Sequence, residues 1–294
     1  MLQFHCYPEG KKRVVTFSYD DGSENDARLT ELFNRYGVKG TFHLNGGRRG
    51  RAEIQKLRER YRGHEIACHT VSHGWLDKMP TVSVIRETME NRAALEEIAQ
   101  QPVVGMSYPS GGFSPVAVEA LRACGVVYSR TTRDTMRTDL PQDFLRWDPT
   151  CHHHSALKLA EGFMQNLDSQ WCPPLMYVWG HSHEFRTEED WAYMERTVAL
   201  LAGSDRIWYA TNMEIYTYLQ AVRALRVSAE ETWIANPSAT DVWVERDKRE
   251  IIRIPAGATV ELRCAPVSSG DFGPPQWRPF RFTAVNVGRK AQSG

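Results

Sequence analysis

No uninterrupted apolar stretch of about 18 residues occurs anywhere in the chain, so a membrane-spanning helix is not expected. The opening Met1-Leu2-Gln3-Phe4-His5-Cys6 lacks a basic segment running into an apolar one. No secretory leader is therefore read there, and the cytoplasm is the expected compartment. Neither sign of charge is in excess, with 36 Lys and Arg against 36 Asp and Glu. Without a basic run there is no electrostatic footprint for nucleic acid or an anionic membrane, and neither is expected as a partner. The six cysteines, Cys6, Cys68, Cys124, Cys151, Cys172 and Cys264, show no Cys-x-x-Cys spacing, which argues against a zinc knuckle and a disulfide framework. Reduced, mostly buried thiols are expected, with Cys68 a packing residue.

What is present centres on Val14-Val15-Thr16-Phe17-Ser18-Tyr19-Asp20-Asp21-Gly22. A β-favouring run that ends in two adjacent carboxylates and a glycine is how a buried strand meets a reactive loop. Neighbouring side chains at a strand end point apart, so one aspartate can bind a cation while the other handles protons. An Asp-Asp-Gly turn taken alone is more often only a turn. His69-Thr70-Val71-Ser72-His73 changes that balance, because two imidazoles four apart reach one point if the segment is helical or tightly turned.

Along the chain, apolar β-rich runs alternate with segments of helical period. Helices are expected over 26–36, closed by Gly37, then over 51–61, 81–100, 115–124, 156–167, 188–201 and 212–225. Strands are expected at 39–44, 65–68, 103–107, 126–129, 175–179 and 206–210, after the first at Val14. About seven strand-helix units imply parallel strands with crossover helices, as a doubly wound sheet or a barrel. Asp20, Asp21, His69, Pro109-Ser110, Arg130 and His181 each follow a strand, where α/β barrels gather catalytic groups.

Ser18-Tyr19-Asp20-Asp21-Gly22, His69-Thr70-Val71-Ser72-His73, Tyr108-Pro109-Ser110-Gly111 and Gly180-His181 resemble, in order, the motifs of the polysaccharide deacetylase family, also called the NodB-homology domain or carbohydrate esterase family 4. The resemblance spans about residues 12–220. It implies a distorted (β/α)7 barrel and metal-dependent removal of an N-acetyl group from a sugar, with zinc or another divalent cation. By that resemblance Asp20 is the general base, Asp21, His69 and His73 bind the metal, His181 is the general acid, and the Ser110 backbone N–H forms the oxyanion hole. Tyr108, Arg130, Trp179 and His183 are expected to meet the substrate, a small carbohydrate or oligosaccharide.

The sequence departs from the family pattern in places. Ser107 stands where the family carries an arginine that steadies the catalytic aspartate, and Arg130 is the expected replacement. His181 can act as an acid only if a carboxylate stabilises its imidazolium. Asp148 is one candidate for that role, and an exposed aspartate before Pro149 is the alternative. Trp179 replaces a leucine of the acetyl pocket, which implies a reshaped pocket. Cys151-His152-His153-His154 is read as a loop lining the cleft or solvent, ahead of a metal tract. His183 and Glu184 stand at even odds for substrate contact. His64 is read as structural, while His5 and His43 are too isolated to interpret.

From residue 226 the composition changes, and Asp241–Arg246, Glu250–Ile254 and Thr259–Leu262 alternate around turn signals. The expected organisation is a barrel over 1–225 and a small antiparallel β extension over 226–294, a packing or homo-oligomer contact ahead of a carbohydrate-binding module. Three functions stay open: a sugar N-deacetylase, a hydrolase of a ureide or imide by the same mechanism, and a non-catalytic carbohydrate-binding protein.

Overall fold

The computed structural model describes residues 1–165, 167 and 175–262. Cys172, Cys264, the tail from Ser268 and the rest of the expected extension beyond Leu262 lie outside the described residues. In chain order the elements are β1 (Leu2–Gln3), β2 (Arg13–Asp20), α1 (Asp26–Tyr36), β3 (Gly40–Leu44), α2 (Arg51–Arg60), β4 (Glu65–Cys68), α3 (Thr81–Ala99), β5 (Gly105–Ser107) and α4 (Pro115–Ala123). They continue as β6 (Tyr128–Arg130), β7 (Cys151–His152), α5 (Ala156–Gln165), β8 (Leu175–His181), α6 (Glu188–Leu201), β9 (Ile207–Tyr209) and α7 (Asn212–Ala224). Five short strands follow: β10 (Arg226–Val227), β11 (Trp233–Ala235), β12 (Val242–Arg246), β13 (Glu250–Ile254) and β14 (Thr259–Glu261).

The main sheet is parallel, in the order β6-β5-β4-β3-β2-β8-β7, with β9 also on β2. Because β8 lies along residues 14–20 of β2, the other edge is shared, β9 taking residues 13–15 and β3 residues 17–20. The two ends of the sheet meet through one segment: Trp147 bridges Arg130 of β6, and four residues later Cys151 pairs with Val178 of β8. The result is the distorted (β/α)7 barrel expected from the sequence.

Every residue of β2 is buried, and its two faces do different work. Val15, Phe17 and Tyr19 join the apolar core shared with the helices. Thr16, Ser18 and Asp20 turn the other way, into a polar barrel interior, as period-2 alternation dictates. Low in that interior Glu65 is buried, accepting from Thr41 Oγ1 at 2.9 Å and the Met213 N–H at 2.8 Å. Helix ends follow local chemistry. Gly37 closes α1 at φ 66°, a left-handed position that costs glycine little. Ser114 caps α4 ahead of Pro115, while Thr187–Asp190 and Thr211–Glu214 form capping boxes.

The antiparallel strands form two small sheets, β1-β12-β13 and β10-β11-β14. The chain's first residues pair with β12, Leu2 opposite Arg246. One difference from expectation is local: Cys151–His152 is a strand followed by a single 3-10 turn. Cys6, Cys68, Cys124 and Cys151 are buried free thiols.

Candidate active site

Asp20 ends β2 opposite His43 of β3 and His181 of β8, so register alone brings three titratable groups together. Its carboxylate is buried and paired with the equally buried Arg130, whose Nη2 donates to Asp20 Oδ2. Arg130 also donates from Nη1 to the Thr131 carbonyl at 2.9 Å and stacks over the Trp179 ring at 4.4 Å. The guanidinium thus arrives from the strand after the position where Ser107 stands. Burial alone would raise the Asp20 carboxyl, but Arg130 above all, with His69, His43 and His181, holds it well below the usual carboxylate range.

Ser107 is not idle. Its Oγ donates to Asp20 Oδ1 at 3.1 Å and lies 2.7 Å from His69 Nδ1, and its carbonyl oxygen is 3.0 Å from the same nitrogen. Two acceptors at Nδ1 place the proton there and leave the Nε2 lone pair free. His69 Nε2 is buried with no hydrogen-bond partner among the described residues, 3.6 Å from Asp21 Oδ1. His73 Nε2 lies 3.5 Å from that same oxygen. Ligand atoms of Asp21, His69 and His73 all fall within 4.8 Å of one another. Burial lowers the His69 pKa despite both aspartates, and the ring is neutral, as a metal ligand must be. These donors, with the second ring nitrogen fixed by an acceptor, fit a divalent cation of borderline softness.

The two loops that carry these groups are held in uncommon backbone. Asp21, Thr70 and His73 take φ 74°, 64° and 56°, so the two histidines converge by a tight turn, with no helix. Glu87 of α3 clamps that turn, accepting from the Val71 and Ser72 N–H groups and from Ser72 Oγ. Asn91, one turn further along α3, accepts from the His69 N–H and donates to the carbonyls of Leu44 and Gly46. Sequence reasoning missed both, since a helix's polar residues give no sign of which one faces inward.

His181 ends β8 and is partly buried, with Nδ1 3.4 Å from Glu184 Oε1. Burial pulls its pKa down, but Glu184, then Asp20 and Asp21, more than offset this and favour the imidazolium. Asp148 does not perform this task. It accepts from Thr131 Oγ1 and Arg133, next to Trp147, which is paired to Arg130 of β6. Glu184 is reached through a 3-10 turn directly after His181. The turn is anchored by Asp26, the first residue of α1, which accepts from Ser182 Oγ and from the Tyr61 hydroxyl at 2.7 Å. Burial raises the Asp26 carboxyl to about 6 despite those two donors.

The remaining expected residues divide. Ser110 is exposed at φ 54° in a one-turn element followed by Gly111, where a Cβ would lie 2.0 Å from Thr132 Oγ1. His183 is half exposed, Nδ1 3.9 Å from Asp21 Oδ2. Trp179 is 8% exposed, its indole N–H donating to Asp134 at 2.6 Å. Tyr108 corrects the expectation of a substrate contact: its side chain is fully buried and its hydroxyl donates to the Leu145 carbonyl at 2.7 Å. His64 accepts from the Gly40 N–H at 3.1 Å, a structural contact. The His152–His154 tract also departs from expectation, since His153 is buried against Tyr19 and Phe185. A cavity of about 910 Å³ lies at the opposite end of the barrel, bordered by Lys39, Glu65, Trp208 and Trp243, away from these groups.

A family model described as polysaccharide deacetylase matches residues 8–129. No curated protein sequence matches the chain. Among solved structures, one from Mycobacterium smegmatis described as a polysaccharide deacetylase aligns with TM-score 0.56 and 18% identity, covering 76% of this chain and 96% of that one. The Xyl-CE4 domain of a multidomain xylanase from the hindgut metagenome of Trinervitermes trinervoides aligns with TM-score 0.51 and 14% identity, over 71% and 92%. The chitin deacetylase of the fungal pathogen Colletotrichum lindemuthianum gives TM-score 0.50 and 18% identity, over 72% and 89%. At these identities the structural likeness concerns the fold.

Proposed function

We propose that this protein, whose residues 8–129 match a family model described as polysaccharide deacetylase, is a metal-dependent hydrolase that removes an N-acetyl group from a small sugar or oligosaccharide, with zinc as the expected cation. The observation that carries this reading is the grouping of Asp20, Asp21, His69, His73 and His181 at the C-terminal ends of three parallel strands, β2, β4 and β8, of one sheet.

Asp21, His69 and His73 would hold the cation. When bound, a divalent ion there supplies Lewis-acid polarisation of the amide carbonyl and makes water acidic enough to attack near neutral pH. Asp20, kept ionised by Arg130, takes the proton from the attacking water. Ser107, bonded to both Asp20 and His69, holds base and ligand in mutual orientation. His181, charged beside Glu184, gives its proton to the departing amine, which would otherwise leave as an unstable anion. The Ser110 N–H, in a turn of left-handed backbone, would donate to the developing oxyanion.

A second reading keeps these steps and replaces the sugar amide with a ureide or imide. It is favoured by Trp179, which stacks on Arg130 and bonds Asp134, a bulky fixed wall where an acyl group would sit. The deciding experiment is metal content of protein purified without added metal, followed by acetate release from a panel of N-acetylated sugars with Asp20→Asn as control. About one equivalent at this site, with acetate release lost in Asp20→Asn, supports the deacetylase. Metal without acetate release favours the other amides, and a metal-free, inactive protein overturns both readings.

A further inference from the structure

The His152–His154 tract is unlike a solvent loop. His153 is 1% exposed, yet both of its ring nitrogens lack a hydrogen-bond partner among the described residues. A neutral imidazole always carries one N–H, so a buried ring with nothing to bond is an unfinished arrangement. Its Nε2 faces Glu184 Oε2 at 3.4 Å, and His152 Nε2 lies 3.0 Å from that same oxygen. Tetrahedral ligands about 2.0–2.1 Å from a zinc ion are separated by roughly 3.3 Å, which is the spacing found here. With His154 included, ligand atoms of the four residues all lie within 4.8 Å of one another.

The surroundings are built around this cluster. Gly180 has no side chain where a Cβ would stand 2.0 Å from His153 Nδ1, so the strand makes room for the ring. Tyr19 stacks flat against the ring at 5.8 Å, with an interplanar angle of 8°. The His152 N–H donates to Asp134 Oδ2, and the Tyr193 hydroxyl donates to the His154 carbonyl, which pins the backbone on both sides of His153.

We propose that His152, His153, His154 and Glu184 form a second binding site for a divalent transition-metal cation of zinc-like preference, separate from Asp21, His69 and His73. Three imidazoles and one carboxylate are a borderline-soft nitrogen-rich set, which selects zinc, cobalt or nickel over magnesium or calcium. The site joins β7 and the turn after it to the turn after β8, so a cation there ties the last strands of the barrel together.

The test is metal stoichiometry on the full chain loaded with zinc and desalted, in four forms: wild type, His69→Ala/His73→Ala, His152→Asn/His154→Ala, and all four substitutions together. His152 and His154 are the more accessible members, so their substitution spares the buried ring. Circular dichroism confirms folding, and Glu184→Gln serves as a second variant. The expected result is two equivalents in the wild type, one in each double variant and none in the quadruple one. Cobalt substitution should give a visible band in His69→Ala/His73→Ala that is absent from the quadruple variant. One equivalent lost only with His152→Asn/His154→Ala would support this site while sinking the Asp21-His69-His73 reading. Stoichiometry unchanged by both His152→Asn/His154→Ala and Glu184→Gln would overturn the proposal and leave the cluster a proton-filled network around Glu184.

Discussion

Arg130→Ala isolates the contact on which the Asp20 carboxylate depends. Arg130 and Asp20 are both buried, their side chains 0% and 2% exposed, so solvent cannot replace the missing guanidinium. Removing one partner of a buried ion pair leaves the other charge uncompensated, which costs about 3–5 kcal/mol. The bond to the Thr131 carbonyl and the stacking on Trp179 are lost within the same figure. Asp20 is a carboxyl with a depressed folded pKa. Its stabilising contribution is therefore fully present above the unfolded value of about 3.9 and is lost as pH falls through the folded value. Without Arg130, burial is opposed only by the histidines, and the folded pKa moves up. The acid limb of kcat/KM should accordingly shift to higher pH by about one unit or more, each unit being about 1.4 kcal/mol. Urea unfolding at pH 7, followed by tryptophan fluorescence, measures the first effect, and a pH–rate profile measures the second. Asp20→Asn/Arg130→Ala should be less destabilised than Arg130→Ala, because no charge is stranded. Arg130→Lys, which keeps the charge and loses the fork, should fall between wild type and alanine. An unfolding free energy for Arg130→Ala within about 1 kcal/mol of wild type, with an unmoved acid limb, would refute the reasoning.

Other outcomes follow from single contacts. Asp26→Asn should flatten part of the stability–pH curve: a folded pKa raised from 3.8 to about 6 gives a contribution complete below 3.8 and lost as pH rises through 6, so the variant should gain on wild type by up to about 3 kcal/mol between pH 4 and pH 8. Equal pH dependence of the two proteins in chemical denaturation would rule this out. Ser110→Pro cannot adopt φ 54° and lacks the N–H, so acetate release should fall on the order of 10²-fold or more, whereas Ser110→Gly should keep activity and gain up to about 1 kcal/mol. Similar rates for the two variants would dismiss the oxyanion role. Gly180→Ala should cost about 1–3 kcal/mol by driving a methyl into His153, and His153→Ala should relieve much of it in the double variant. Strict additivity in thermal unfolding would show that the ring and the strand do not interact.

How far the sequence revealed the molecule depended on the range of the signal. The strand-helix alternation and the Gly37 stop are local chemistry, and they appear where the pattern places them. Arg130 was legible as a partner for Asp20 because a strand end fixes where a side chain can reach: one strand further round the barrel, the guanidinium arrives at the same carboxylate. Contacts made across short or irregular elements were not legible. The β1 strand is two residues long and carries no period, so its pairing with β12 could not be read. Tyr108 follows a strand, as the site residues do, yet it points into the core, because the residue after a strand end has no fixed face. Glu184 reaches His181, His152 and His153 only because a 3-10 turn after β8 folds back over β7, itself a two-residue strand. The irregular turns that hid the pairing of Glu184 with the histidines also let one carboxylate face three imidazoles: a regular strand would send residues 181 and 184 to opposite faces. The reach of the acid residue therefore resides in backbone geometry that side-chain periodicity does not encode.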